Sequence, residues 1–436
     1  MHLVMIGGSD AGISAALRAG ELDTAVEVTV VAADAYPNFS ICGIPYYVSG
    51  EVTHWRNLAH RTSADLEATG MRLRLDTTVR PIDVRPQAHC HDRRRHRRCG
   101  LLRQAHHRNR RGPVRPPIIG LTGPDALGAV DGVHLLHSLG DTFALMRTLE
   151  DTGPATAVIV GAGYIGLEMA DALATRGLSV IQMEQLPEVL PTVDPGLGTL
   201  VRDQLAGHGA EVLTGTTVRQ IRRSPGSQPG RLVVEATDAD GQVLTRRADV
   251  VLVVVGVRPD TGIAVSAGAA LGVKARSPWI GACTRPCLAS SPPGTASPPI
   301  TGSSATPTCP WAPGASAPRS SRSSTTPPNR TARPRSHSGG LDPVTIEAAA
   351  DDHKAYSHRI TMRVTGDQAT GRLLGMQMFG HRHAEIAKRI DIAATAIYHG
   401  MTVDAVSDLD LSYTPPLGSP WDAVQIGAQA CVRQVS

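Results

Sequence analysis

The stretch AVIVGAGYIGLEMADALATRG, residues 157–177, decides the fold. It opens as an apolar run of the kind found in a parallel strand, where both faces are covered. Gly161, Gly163 and Gly166 follow in G-x-G-x-x-G spacing and open a segment with helical character. Glycines here let the backbone turn sharply and approach a pyrophosphate. The free N–H groups and dipole of a helix N-terminus then favour the phosphate charge. The next apolar run, LSVIQME (178–184), ends on Glu184. A carboxylate at that place accepts ribose hydroxyls and repels a 2′-phosphate. Strand, glycine turn, helix and acid-ended strand predict a dinucleotide site that prefers NADH to NADPH.

Working outward, the N-terminus repeats the arrangement. MHLVMIGGSDAGISAA carries Gly7, Gly8 and Gly12, with Ser9 in the middle glycine position, and VEVTVV (26–31) is the second strand. Asp34 is the nearest acid for a ribose, slightly beyond that strand. A β-rich tail closes the second unit on VVLVVVG, ending at Gly256. This duplication predicts an α/β protein with two doubly wound, Rossmann-like domains. From 341 onward the pattern is orderly again: Ile386, Ile390, Ala393 and Ile397 mark one face of a helix that stops at Gly400.

Between the two turns lies NFSICGIPYYVSG (38–50). Cys42 sits at a loop-to-helix junction, where a helix N-terminus can stabilise a thiolate. A buried structural cysteine is the other reading.

A chain of 436 residues fits two or three domains. No stretch reaches the 18 or so apolar residues of a spanning helix, and MHLVMIGG has no basic flank, so no membrane association is expected and the cytoplasm is the expected compartment. Seven cysteines without a secretory signal argue against a disulfide framework.

Four features in order make the chain resemble the pyridine nucleotide–disulfide oxidoreductases: the first dinucleotide turn, the SxCGxPYY loop, the second turn, and GVRPDT after VVLVVVG. It is most similar to the single-cysteine branch of coenzyme A-disulfide reductases, NADH oxidases and persulfide reductases. The segment KRIDIAATAIYHGMTVDAVSDLDLSYTPPLGSPWDAV (388–424) resembles that branch's dimerisation domain. The resemblance implies two Rossmann-like domains, for FAD and NAD, plus a C-terminal α+β dimerisation domain. The expected limits are 1–117 with 257–340 for FAD, 118–256 for NAD(P), and 341–436 for dimerisation.

It also implies that Gly7, Gly8, Gly12 and Asp34 hold FAD, while Gly161, Gly163, Gly166, Glu184 and Gly256 serve NAD(P)H and the shared cofactor region. Cys42 is the implied redox centre, reducing a small disulfide or persulfide, and Tyr413 would reach a partner subunit's site in a homodimer. An NADH oxidase cycling Cys42 through a sulfenic acid is the close alternative. Two departures stand out. Ile41 replaces the family's usual Asn, and Ala32 replaces its usual acid at the end of the second strand.

Two segments break the pattern. Nine arginines fall between Arg93 and Arg111, within the run that holds RQAHHRNRRGP (103–113). Residues 286–338 hold twelve Pro and twelve Ser but no Asp, Glu, Val, Phe, Tyr or Met. Both lie where family motifs, T-G-A and A-x-G-D, are due. A coding sequence for 103–113 exists that reads DKLIIGTGAV when started one base later. One for residues 290–312 reads FAAGDCVTPHHRLLGDTYLPLG when started two bases later. The expectation is that about 86–112 and 281–338 are out-of-frame translation. A basic arm for nucleic acid is then not expected, and it also lacks interleaved aromatics. Nor are His89, Cys90, His91, Cys283 and Cys287 expected to bind a metal. If the displacement is real, the literal chain keeps only its NAD unit intact.

Overall fold

The computed structural model describes residues 2–79, 113–153, 156–225, 231–258, 261–266, 341–351, 358–412 and 422–435. Tyr413, both compositionally odd segments and the His89–His91 and Cys283/Cys287 groups lie outside them. In chain order the N-terminal unit has β1 (His2–Ile6), α1 (Asp10–Leu22), β2 (Glu27–Val31), α2 (Ile44–Ser49), α3 (Ser63–Ala68) and β3 (Arg72–Arg74). Its sheet is parallel, in the order β1-β2-β3. Ile13, Ala16, Val28, Val30, Leu66 and Met71 form its small core.

The middle unit follows with β4 (Val133–His134), α4 (Leu139–Thr152), β5 (Thr156–Val160), α5 (Tyr164–Thr175), β6 (Ser179–Met183), α6 (Pro195–Gly207) and β7 (Glu211–Leu213). Then come β8 (Thr217–Arg223), β9 (Leu232–Thr237), β10 (Val243–Ala248), β11 (Val250–Val253) and the short α7 (Gly262–Ser266). The parallel sheet runs β4-β11-β5-β6-β7, and β8–β10 form an antiparallel meander. One sheet face packs on α4 and α5 through Leu145, Leu149, Met169 and Leu173. The other packs on the meander through Ile221, Leu232, Val234 and Ala248. Because both faces are covered, β5 and β11 can be near-continuous apolar runs rather than alternating ones.

Local signals set the helix starts. Ser138 and Asp141 form a reciprocal capping box for α4. Asp194 caps α6 by accepting from Gly196 N–H, with Pro195 at the first helical position.

The C-terminal unit comprises β12 (Pro343–Asp351), β13 (Arg359–Asp367), β14 (Leu373–Gly380), α8 (Ile386–Tyr398), α9 (Val403–Ser407) and α10 (Ala423–Val435). The three strands form an antiparallel sheet against which α8 and α10 pack. Ala393 and the partly buried Ile386 and Ile390 belong to that core, as their spacing predicts, whereas Ile397 is 37% exposed. Arg389, buried, pairs with Asp422 and so ties α8 to the start of α10. Arg363 of β13 bonds Asp194 at 3.1 Å, and Gln377 of β14 accepts from Asp194 N–H, joining this unit to the middle one.

Among the described residues the two nucleotide-type units differ in how the strand before the glycine turn is paired. In the middle sheet β5 is interior, with β11 on one side and β6 on the other. In the N-terminal sheet the equivalent strand, β1, has β2 on one side and no neighbour on the other among the described residues. Burial follows: four of the five β5 residues are buried, and none of β1 is.

The connections between the units run side by side. Pro113 bridges Val257, and Val114 N–H donates to Gly256 O at 3.0 Å. Ile118 and Leu121 already belong to the middle unit's core.

Candidate active site

Each glycine turn is shaped by backbone that approaches too closely for a side chain. In the second turn Gly161 has φ +103°, and a Cβ on Gly166 would fall 2.0 Å from Gly161 O. Gly163, by contrast, is extended, caps α5 without a side-chain bond, and would place a Cβ in open space. Nothing among the described residues requires glycine there, but a ligand pressed against the backbone would. Beneath the turn Gln182 donates to Gly161 O at 2.6 Å, while its buried Oε1 has no partner among the described residues. Glu184, 6% exposed, accepts from Ala162 N–H at 2.7 Å and from Leu186 N–H at 2.9 Å. The expected ribose acid therefore lies against the turn, its orientation fixed by two amides.

The first turn repeats this geometry with different fillings. Gly7 has φ +121°, and a Cβ on Gly12 would lie 2.2 Å from Gly7 O. Gly8 faces inward instead, since a Cβ there would meet Ala32 Cβ at 2.8 Å. Ser9 precedes α1 without capping it, so the first-turn N–H groups are not taken by that side chain. Asp34 sits beyond β2 and accepts from Tyr36 N–H at 3.0 Å, closing its own loop.

Asn38 is a residue the motif reading missed. It has φ +58°, a backbone shape in which Asn is tolerated, and is 3% exposed. Its N–H donates to Gly8 O, its amide to Asp10, and its Oδ1 is buried with no partner among the described residues. Two glycine turns leading into helix N-termini, with orphaned buried oxygens close by, fit two dinucleotides.

Cys42 is exposed, in a 3-10 turn spanning Ile41–Gly43. A Cβ on Gly43 would come 2.7 Å from the end of the Leu58 side chain, which would have to move aside. The helix that follows, α2, is only six residues long. Ile41 and Tyr46 beside the thiol are both more than half exposed. Cys431 is the contrast: fully buried in α10, with its thiol pKa pushed up by burial.

Glu168, one turn into α5, is a second group not singled out in the sequence; although exposed, it is partly desolvated by its surroundings, which raises its carboxyl pKa. Gly256 follows β11 with φ +122° and open space at its Cβ position. Among the described residues no cluster of three His, Cys, Asp or Glu side chains converges on a metal position. No helix among them is long and apolar enough to cross a membrane.

Fold and site together define a protein with two dinucleotide turns flanking an exposed cysteine. The family model "Pyridine nucleotide-disulphide oxidoreductase" matches residues 1–277, and the dimerisation domain of the same family matches 338–423. The chain belongs to the pyridine nucleotide–disulphide oxidoreductase family, whose members are flavin-dependent NAD(P)H oxidoreductases.

It is 26% identical over 458 residues, 98% of both chains, to the CoA-dependent NAD(P)H sulfur oxidoreductase of Pyrococcus furiosus. It is 28% identical over 281 residues to an NADH oxidase of Methanocaldococcus jannaschii, covering 62% of this chain and 58% of that one. Among solved structures, the NAD-dependent persulfide reductase of A. fulgidus is similar with a TM-score of 0.70 and 26% identity. That match covers all of this chain and 83% of the other.

Proposed function

We propose that this chain is built to take electrons from NADH, through FAD, and reduce a low-molecular-weight disulfide or persulfide at Cys42, working as a cytoplasmic homodimer. One observation carries the reading: the exposed thiol lies on a turn fastened to the first glycine turn by Asn38 and packed on the unit that bears the second. Gly7, Gly8, Gly12 and Asp34 would hold FAD. Gly161, Gly163, Gly166, Glu184 and Gly256 would serve NADH. Bound there, FAD supplies a two-electron carrier between a nicotinamide and a thiol.

The chain's own part starts at Cys42. Its thiolate attacks the substrate S–S bond, a Cys42–S–S–R bond forms, and RS⁻ leaves. Two electrons and a proton then release the second RSH and restore the Cys42 thiolate. Glu184, already oriented, discriminates against a 2′-phosphate by charge. Tyr413 of a partner subunit is assigned to the substrate side of the thiol. Supporting this reading, the full-length relatives are named for sulfur and persulfide reduction. The NADH oxidase relative favours a second reading in which Cys42 cycles through a sulfenic acid.

Peptide mapping after turnover with substrate separates the two. A mixed disulfide at Cys42 supports the reductase, and a sulfenate formed under oxygen supports the oxidase. Absence of both at Cys42 would sink either reading.

We further propose the domain limits 1–117 with 257–340, 118–256 and 341–436, and out-of-frame translation of about 86–112 and 281–338. The sequence of the middle unit supports the latter. The strand beside β5 there is DVVLVVVG (249–256), with Asp and Gly seven residues apart. The shifted reading of 103–113 begins DKLIIGTG, with the same spacing and the same strand character. The literal chain should then bind FAD weakly while still binding NADH. Sequencing the gene across codons 80–120 and 270–345 decides it. An intact frame accompanied by stoichiometric bound flavin would overturn the proposal.

A further inference from the structure

The segment that carries Cys42 does not belong to the core of the unit in which it lies in sequence. Ile44 and Val48 of α2, together with Leu58, are buried in one core with Leu145, Met146, Leu149 and Leu173 of the middle unit. The N-terminal unit's own core contains none of them. Arg176, at the end of α5, donates to Val48 O at 3.0 Å and so satisfies a carbonyl in the last turn of α2.

An aromatic cluster completes the attachment. Tyr36, Phe39 and Trp55 come from either side of the cysteine turn, and Phe143 comes from α4 of the middle unit. Phe143 meets Tyr36 at 5.5 Å and Trp55 at 5.3 Å between ring centroids, both edge to face. Tyr36 meets Phe39 at 6.0 Å, and Phe39 stacks on Trp55 at 5.6 Å. Arg56 lies over the Trp55 ring at 4.6 Å. The backbone passes this constraint on to the thiol. Phe39 bridges Ala59, Ser40 N–H donates to Leu58 O, and Gly43 N–H donates to Ser40 O.

We infer that Phe143 is a positioning residue for Cys42: through the Tyr36–Phe39–Trp55 cluster, the nucleotide-binding middle unit sets the place of the reactive turn. Edge-to-face geometry matters here, because it orients rings as well as burying them. An aliphatic side chain of similar bulk would keep the core filled but lose that orientation. The inference rests on Cys42 being the reacting group, but its test does not need flavin, substrate or turnover.

The test is iodoacetamide alkylation of the full-length chain, read cysteine by cysteine by mass spectrometry, with NADH affinity measured in parallel. Phe143→Leu should raise the alkylation rate at Cys42 at least threefold, because a loosened turn admits the reagent from more directions. Cys431, buried in the C-terminal unit, should stay protected at its wild-type rate, and NADH affinity should be unchanged. Phe143→Tyr, which keeps the ring, should restore the wild-type rate at Cys42. A rise at Cys42 of less than threefold in Phe143→Leu overturns the inference. So does a parallel rise at Cys431, which would mean that Phe143 supports only general stability. Loss of NADH binding in wild type would count against the proposed function and leave the Cys42 comparison readable.

Discussion

Replacing Gly166 by Ala should break the second nucleotide turn by a calculable distance. The new Cβ would lie 2.0 Å from Gly161 O, 3.0 Å from Gly161 C and 3.1 Å from the Gln182 amide nitrogen. Cβ contacts below 3.0 Å are essentially never seen, so α5 and the glycine turn must separate by about 1 Å. A charge-assisted N–H···O⁻ bond of about 2.8 Å is lost when stretched that far. Losing one such bond to the pyrophosphate costs about 2–3 kcal/mol, or about thirty- to 150-fold in NADH affinity.

The assay is a titration of NADH fluorescence against the full-length protein, paired with a melting curve. Gly163→Ala is the partner variant, since its Cβ enters open space at an extended backbone. It should melt as wild type yet bind NADH at least tenfold more weakly, because only the ligand meets the new methyl. Gly166→Ala should both melt earlier and bind more weakly. If Gly166→Ala binds NADH within threefold of wild type, the assignment of this turn to the pyrophosphate is wrong.

Two other predictions concern neighbouring positions. His134 on β4 is buried and bonds Thr148 at 3.0 Å; burial pushes its pKa down to about 4, against a smaller opposing pull from Asp141. The folded state thus binds fewer protons than the unfolded one, and stability that is full above about pH 6.5 should fall as pH drops towards 4. The loss amounts to about 3 kcal/mol at 1.36 kcal/mol per pKa unit. Urea denaturation of the transition that NADH protects should show it, and His134→Gln should flatten it; equal pH slopes in the two proteins would refute the cause. At Glu184, substitution by Gln keeps an acceptor for the Ala162 or Leu186 amide but removes the charge. The ratio of NADH to NADPH affinity should fall at least tenfold, and an unchanged ratio in competition titrations would show that Glu184 does not face the 2′ position.

How much of this was legible beforehand differs from residue to residue. The second turn was readable because its chemistry is local. Gly161, Gly163, Gly166 and Glu184 fall within one strand–helix–strand unit, and the contact that demands glycine at 166 is with Gly161 in the same turn, although Gly161 is also crowded by the distant Val254. Asn38 was not readable, since its role depends on Gly8 and Asp10, brought near by the pairing of β1 with β2. Glu168 gave no signal as one charged residue on a helix; only a partial desolvation that raises its carboxyl pKa marks it, although its side chain is exposed.

By itself, then, the sequence determined the two nucleotide turns, the cysteine between them and the helical face of the C-terminal unit. Each is written in short-range periodicity and spacing, which backbone geometry translates directly. Tertiary structure alone decided which body holds the cysteine turn. Phe143 and Arg176 lie more than a hundred residues from Tyr36 and Val48 in the chain, and no local pattern records that they meet. It also decided that β5 is enclosed between β11 and β6. Strand neighbours are chosen by the folded sheet, and the similar apolar runs of β5, β6 and β11 carry no local record of their order.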